Sequence, residues 1–199
     1  MPLSHRRAAS ALSWRGLVVP DVGMLGHRVS AVVRVHDGVD RWRRENGWPP
    51  HADPSWFRTW FSPGPPDRSP LPAVDLVGIL VSGTAIEHAL NACGALISLA
   101  PCAAVFEETA AHDPWALNEL DYYGVGAVVA DENSARVVIP PEDRAGEFGP
   151  SLYGRWLREV LYDRVLRSAY QHPVDHRASS TAGTECAATD CPPAPPADH

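Results

Sequence analysis

The chain contains 199 residues, of which 45% are hydrophobic, and it carries a formal net charge of -7. All 17 basic residues are arginines, which excludes mechanisms that need a lysine amine, such as Schiff-base catalysis or a P-loop lysine. No uninterrupted apolar run of about 18 residues is present, so we expect no transmembrane helix.

The charge is distributed unevenly along the chain. Residues 1–68 carry a net charge of +4, residues 69–135 carry -9 and residues 136–199 carry -2. The middle segment has no basic residue, so it cannot follow a phosphate backbone, because nonspecific nucleic-acid affinity depends on cationic side chains. We interpret it as a half-buried core with an acidic face, or as an acidic surface that docks a basic partner.

The N-terminal third is predicted to contain two segments. Residues 1–21 are expected to be a flexible extension. Residues 22–62 are expected to be a helical segment rich in arginine and tryptophan. Apolar residues at spacings of three and four favour a helix over residues 22–45 that ends at Asn46-Gly47, although the valine density and Asp37-Gly38 leave a hairpin open.

A compact core is predicted to follow a proline-rich connector. Residues 63–72 contain five prolines and should be extended, and the core should span residues 73–171. Residues 74–81 fit either a strand or a buried helix, since periodicity does not decide between them. The capping-box spacing of Thr84 and Glu87 predicts a helix from about residue 85.

The second half of the core has clearer local signals. A helix is predicted over residues 103–111, and Asp113-Pro114 has the capping pattern that starts another. Two β-branched runs, 124–130 and 135–139, predict a hairpin with a four-residue loop. An amphipathic pattern predicts a helix over residues 151–171.

The tail, residues 172–199, has almost no large apolar residue and is predicted to be disordered. The expected fold class is therefore α+β and mainly helical, with one β-hairpin at about 124–139 packed on helices and with disordered termini.

The base of the predicted hairpin offers one candidate ligand-binding site. If its strands pair antiparallel, Asp121 and Tyr123 at the start lie beside Glu142 and Arg144 after the end. Carboxylates together with an arginine fit either a ligand site or a structural salt bridge, because perturbed acids mark sites only statistically.

A candidate interface is formed by Trp42, Arg43, Trp56 and Trp60. Tryptophan and arginine are frequent in the central residues of protein interfaces. The same residues also fit a packed core with partly buried arginines, or stacking on single-stranded nucleic acid.

Metal and nucleophile patterns are weak. His172, His176, Cys186 and Cys191 supply two histidines and two cysteines, but the order is the reverse of a zinc finger and the tail has no apolar residues to pack around a metal. Ser82-Gly83 lacks the Gly-x-Ser-x-Gly frame of a nucleophile elbow. We therefore predict no metal, cofactor or nucleophilic catalysis.

The helix and hairpin order predicted for residues 85–140 is that of a winged-helix module, but its third helix has no basic residue for the DNA groove. We expect a non-catalytic cytoplasmic interaction or accessory protein that binds a protein partner or self-associates, without a nucleic-acid or membrane partner. The alternatives are an enzyme that uses carboxylates and His112, and a nucleic-acid-binding accessory factor.

Overall fold

The computed structural model describes residues 3–55, 71–83, 85–107, 113–131, 133–149 and 151–171. The strands in these residues are β1 (Leu17–Met24), β2 (His27–Val35), β3 (Val74–Ser82), β4 (Cys102–Phe106), β5 (Gly126–Ala130) and β6 (Ala135–Ile139). The helices are α1 (Leu3–Ala11), α2 (Asp37–Glu45), α3 (Ile86–Leu96), α4 (Pro114–Tyr122), α5 (Ala145–Phe148) and α6 (Leu152–Gln171).

The described strands form one six-stranded mixed sheet in the order β1-β2-β3-β4-β5-β6. Strands β3, β4 and β5 run parallel to one another. The pairs β1–β2, β2–β3 and β5–β6 are antiparallel. Helix α3 lies between β3 and β4 in the chain and α4 precedes β5, because parallel neighbours need a crossover connection.

The prediction of a mainly helical fold with one hairpin is therefore wrong. Residues 22–35, for which a helix is favoured by the sequence, instead form the end of β1 and the whole of β2. These two strands make a second hairpin, which turns at Leu25 and Gly26 with φ of 46° and 85°. Residues 74–81, which fit either element, lie in β3. The helix predicted at 103–111 is wrong over its described part, because Cys102–Phe106 is strand β4.

The errors share a physical cause, which is that helices cover both faces of the sheet. All five residues of β4 are buried, as are five consecutive residues of β2, so neither strand shows the alternation of a half-exposed strand. The winged-helix order of elements was wrong for the same reason. The segment between α3 and α4, where a further helix was predicted, contains the central strand β4.

Two hydrophobic layers hold the sheet. Helix α1 packs on one face, where Ala8 and Ala9 join a cluster that includes Leu80. Helices α3 and α6 pack on the other, where Leu96 and Leu161 belong to the larger cluster.

Residues 3–21 are ordered, contrary to the predicted flexible extension, since they form α1 and the start of β1. Ala8 and Ala9 are at most 3% exposed, and their small side chains let α1 lie close to the sheet. Beyond α1, the ring of Trp14 lies so close to Gly78 that a Cβ there would come within 2.4 Å of it. The hydropathy of the sequence does not predict this packing role of small residues.

Other local predictions are confirmed. The hairpin at about 124–139 is present as β5 and β6, and the helix predicted over 151–171 is α6. Helix α2 ends at the predicted Asn46-Gly47. The predicted tail, and the connector except for residues 71–72, lie outside the described residues. Over the part of the chain that is described, no helix combines the length and apolarity needed to cross a bilayer.

Candidate functional site

The capped start of helix α4 determines which of its side chains face outwards. The Asp113 carboxylate accepts hydrogen bonds from the backbone N–H groups of Trp115, at 3.0 Å, and Ala116, at 3.4 Å, and proline occupies the first helical position. Ala116 and Leu120 are buried on the sheet side. The opposite side of the helix therefore faces solvent.

Aromatic rings occupy that outward side. Trp115 is 79% exposed and Tyr122 is 83% exposed, and Tyr123, which ends the helix, is half exposed. The rings of Tyr122 and Tyr123 meet edge to face, with centroids 5.1 Å apart. Large exposed aromatic side chains at helical spacing are a common feature of interaction sites.

Two acidic side chains are exposed on the same helix as these rings. Glu119 and Asp121 are exposed on α4 between Trp115 and Tyr122. We call Trp115, Glu119, Asp121, Tyr122 and Tyr123 together the aromatic-acidic surface. Because residues 69–135 contain no arginine or lysine, the segment itself provides no cation to neutralise its carboxylates.

A groove of about 480 Å³ adjoins this surface between α3 and α4. Its lining includes Glu87, Leu90, Ile97, Glu119, Tyr123 and Arg144. Arg144 also contacts Glu147, with Nε 3.3 Å from Oε2. The groove thus combines an apolar floor with two carboxylates and an arginine that already has an acidic partner.

The four predicted ligand-binding residues are brought to the same region, but only two share the groove. The backbone N–H of Glu142 donates to the carbonyl of Gly124 at 3.0 Å, so the two ends of the hairpin meet as predicted. Tyr123 and Arg144 line the groove, whereas Asp121 and Glu142 do not. Ligand binding by this set stays a prediction.

Of the four predicted interface residues, only Trp42 and Arg43 lie among the described residues. Arg43 is fully buried, with both terminal nitrogens on the Glu159 carboxylate, so its side chain belongs to the interior rather than to an interface. Trp42 is 47% exposed and its ring lies 6.2 Å from that of Trp48. Trp56 and Trp60 lie outside the described residues.

The predicted weak metal ligands and the alternative catalytic histidine also lie outside the described residues. These are His112, His172, His176, Cys186 and Cys191. Within the described residues, no group of three or more histidine, cysteine and acidic side chains is arranged to hold a metal ion.

A hydrogen-bonded chain of three side chains was missed by the sequence analysis. His5 Nδ1 lies 2.7 Å from Ser30 Oγ, and His5 Nε2 lies 2.9 Å from Ser82 Oγ. Residues 1–21 were predicted to be a flexible extension, so the sequence assigned no helix face to His5, Ala8 and Ala9. No local pattern links residues that are 25 and 77 positions apart.

No protein-family model, curated protein or solved structure matches this chain.

Proposed function

We propose that this protein is an interaction protein that binds a basic, partly apolar segment of a partner protein on its aromatic-acidic surface. The observation that carries this proposal is the 79% and 83% exposure of Trp115 and Tyr122 on the outward side of α4, beside Glu119 and Asp121. Exposed apolar residues within a charged surround are typical of protein-binding sites.

The spacing of the rings defines the chemistry of the partner. Trp115 and Tyr122 are separated by seven residues, which is about 10 Å along a helix. Two arginines three residues apart in a polyproline II segment lie on the same side and about 9 Å apart, because that conformation has about three residues per turn and a rise of about 3.1 Å per residue. Each guanidinium can stack on an aromatic ring while it pairs with Glu119 or Asp121.

The neighbouring groove provides a place for an apolar side chain. Leu90 and Ile97 contribute apolar lining, and Glu87 and Glu119 contribute carboxylates. A leucine or isoleucine of the bound segment would bury its side chain here while flanking arginines meet the acidic surround. Charge complementarity of this kind contributes mainly to specificity and to the association rate.

The experiment uses a fluorescein-labelled peptide that contains two arginines three residues apart and a leucine between them. The fluorescence anisotropy of this peptide should rise when the full chain is added. The binding should weaken as salt is added, because exposed charges are screened. A matched peptide with glutamates in place of the arginines should not bind. Equal binding of the two peptides would contradict the proposal.

A second copy of this chain is the competing occupant of the aromatic-acidic surface. We expect sedimentation of the chain to give the mass of a monomer over the concentrations used for the peptide. A dimer that Trp115→Ala dissociates would show that a second copy occupies the surface, and would overturn the proposal of a basic partner.

A further inference from the structure

His5 receives its two serine partners because of the sheet register. Ser30 of β2 is paired with Leu80 of β3, and Ser82 lies two residues beyond Leu80. Alternate residues of a strand share a face, so both serines lie on the face that α1 covers. His5 lies one helical turn before Ala8 and Ala9, which pack on that same face.

The ring of His5 is neutral near pH 7, because burial lowers the pKa of this histidine. A neutral imidazole has one N–H donor and one acceptor nitrogen. When Nδ1 donates to Ser30, Nε2 accepts the hydroxyl proton of Ser82. This is the order of groups in nucleophilic catalysis: a nucleophile, its base and a third group that orients the base.

Only the outer member of the chain is accessible. His5 and Ser30 are 4% and 3% exposed, whereas Ser82 is exposed at the last position of β3. Strand β3 is the first of three parallel strands, and Ser82 lies at the carboxyl end of this part of the sheet. The Ser82 hydroxyl thus lies where a substrate can arrive, beside a base that is largely buried.

We propose that Ser82 is a nucleophile that His5 activates and Ser30 positions, and that the site accepts uncharged carboxylic esters with a good leaving group. Glu107 follows β4 and Asp131 follows β5 at the same edge of the sheet. Arg7, which donates to the Asp131 carbonyl, offsets one of these charges, and the remaining negative charge disfavours an anionic substrate.

The reaction proceeds in two steps. Ser82 Oγ attacks the ester carbonyl carbon and loses its proton to His5 Nε2; the bond to the alcohol oxygen breaks, and His5 returns the proton to that oxygen. Water then attacks the acyl carbon and gives a proton to His5. The bond to Ser82 Oγ breaks, and His5 reprotonates the serine. The sum is an ester and water converted to an acid and an alcohol.

The test uses an alkyl fluorophosphonate on the full chain, with the site of modification identified by peptide mass mapping. A bond forms between Ser82 Oγ and phosphorus, fluoride leaves, and the serine proton is released through His5. We expect Ser82 to be labelled at least tenfold faster than Ser168, an exposed serine of α6 whose hydroxyl donates to the Arg164 carbonyl. Labelling spread evenly over exposed serines would overturn the proposal.

Variants separate catalysis from packing. Ser82→Ala should abolish the label at this position. His5→Gln should slow labelling by about 100-fold, the lower range for loss of a general base. Folded His5→Gln protein labelled at the wild-type rate would overturn the proposal; if it does not fold, the ratio of Ser82 to Ser168 labelling in the wild type still decides.

The positioning role of Ser30 is tested by asking whether another hydroxyl side chain at this position restores the labelling of Ser82. Ser30→Ala should slow labelling of Ser82, whereas Ser30→Thr, which keeps a hydroxyl for Nδ1, should restore it. Equal rates in the two variants would contradict a positioning role. Failure of these experiments leaves peptide binding to the aromatic-acidic surface unaffected, because the two sites use different residues.

Discussion

Arg43 and Glu159, which are 116 positions apart, form a bidentate ion pair in the interior, with nitrogen–oxygen distances of 2.8 and 2.7 Å. Arg43 also donates to the carbonyl of Pro49, and its guanidinium lies 4.8 Å from the ring centre of Tyr162. Glu159 accepts the backbone N–H of His51 at 2.9 Å. The pair therefore joins α2, the segment after it and α6.

Removing the arginine should destabilise the fold strongly. Arg43→Met leaves Glu159 buried without its counterion, and we expect the free energy of unfolding, measured with urea, to fall by about 3–5 kcal/mol. Adding Glu159→Leu should recover most of this loss, because the buried charge is then gone.

Arg44→Met is the matched control for this prediction. Arg44 pairs with Asp40 at 3.0 Å, but its side chain is 52% exposed, so its loss should cost about 0–1 kcal/mol. Equal losses for the two arginine variants would show that the buried pair does not hold these elements together.

Gly78 gives a prediction about packing under α1. Gly78→Ala would place a Cβ within 2.4 Å of the Trp14 ring, and we expect a loss of about 1–3 kcal/mol from overpacking. Gly38→Ala in α2 meets nothing within 4 Å and should be neutral or stabilising by up to about 1 kcal/mol. Thermal unfolding of the two variants measures the difference. Similar midpoints would contradict the close packing of Trp14 on β3.

The sequence predicted those parts of the fold that have local causes. The Asp113-Pro114 cap and the turn between β5 and β6 are made by neighbouring residues, and both were predicted correctly. Strands β2 and β4 were missed, because their burial on both faces depends on helices distant in the chain. Their valine and alanine runs fit a helix equally well when those helices are unknown.

The same distinction applies to the candidate sites. The approach of Glu142 to Gly124 follows from hairpin register, and so could be predicted. The exposure of Trp115 and Tyr122 required knowing which side of α4 packs on the sheet. The contact between His5 and Ser82 depends on α1 crossing the sheet, and the residues before Val22 gave no sign of this in their hydropathy.

The buried state of His5 predicts how stability varies with pH. Burial lowers the pKa of His5 in the folded state, so the unfolded chain binds a proton at this residue more readily. The stabilisation from keeping His5 neutral is fully present above the pKa of histidine in the unfolded chain, about 6.5. It is lost as the pH falls towards the pKa of His5 in the folded protein. The free energy of unfolding then decreases by at most about 1.4 kcal/mol per pH unit. Burial lowers the pKa of His51 as well, with the same sign.

Urea unfolding at about pH 7 and about pH 5 measures this dependence. We expect the loss of stability between the two values to be smaller in His5→Gln than in the wild type. Substitution of the exposed His88 by glutamine serves as the control. An identical loss in His5→Gln and wild type would show that His5 is not kept neutral by the fold.

If α4 presents a binding surface for a basic segment, three proteins should differ in their affinity for the arginine-containing peptide: the wild type, a double aromatic variant and a variant at a distant tryptophan. Trp115→Ala combined with Tyr122→Ala should weaken binding at least about 30-fold, as expected when interface aromatics contribute about 2 kcal/mol or more. Trp42→Ala removes an exposed aromatic elsewhere and should leave the affinity unchanged. Equal affinity of the double variant and the wild type would contradict the claim.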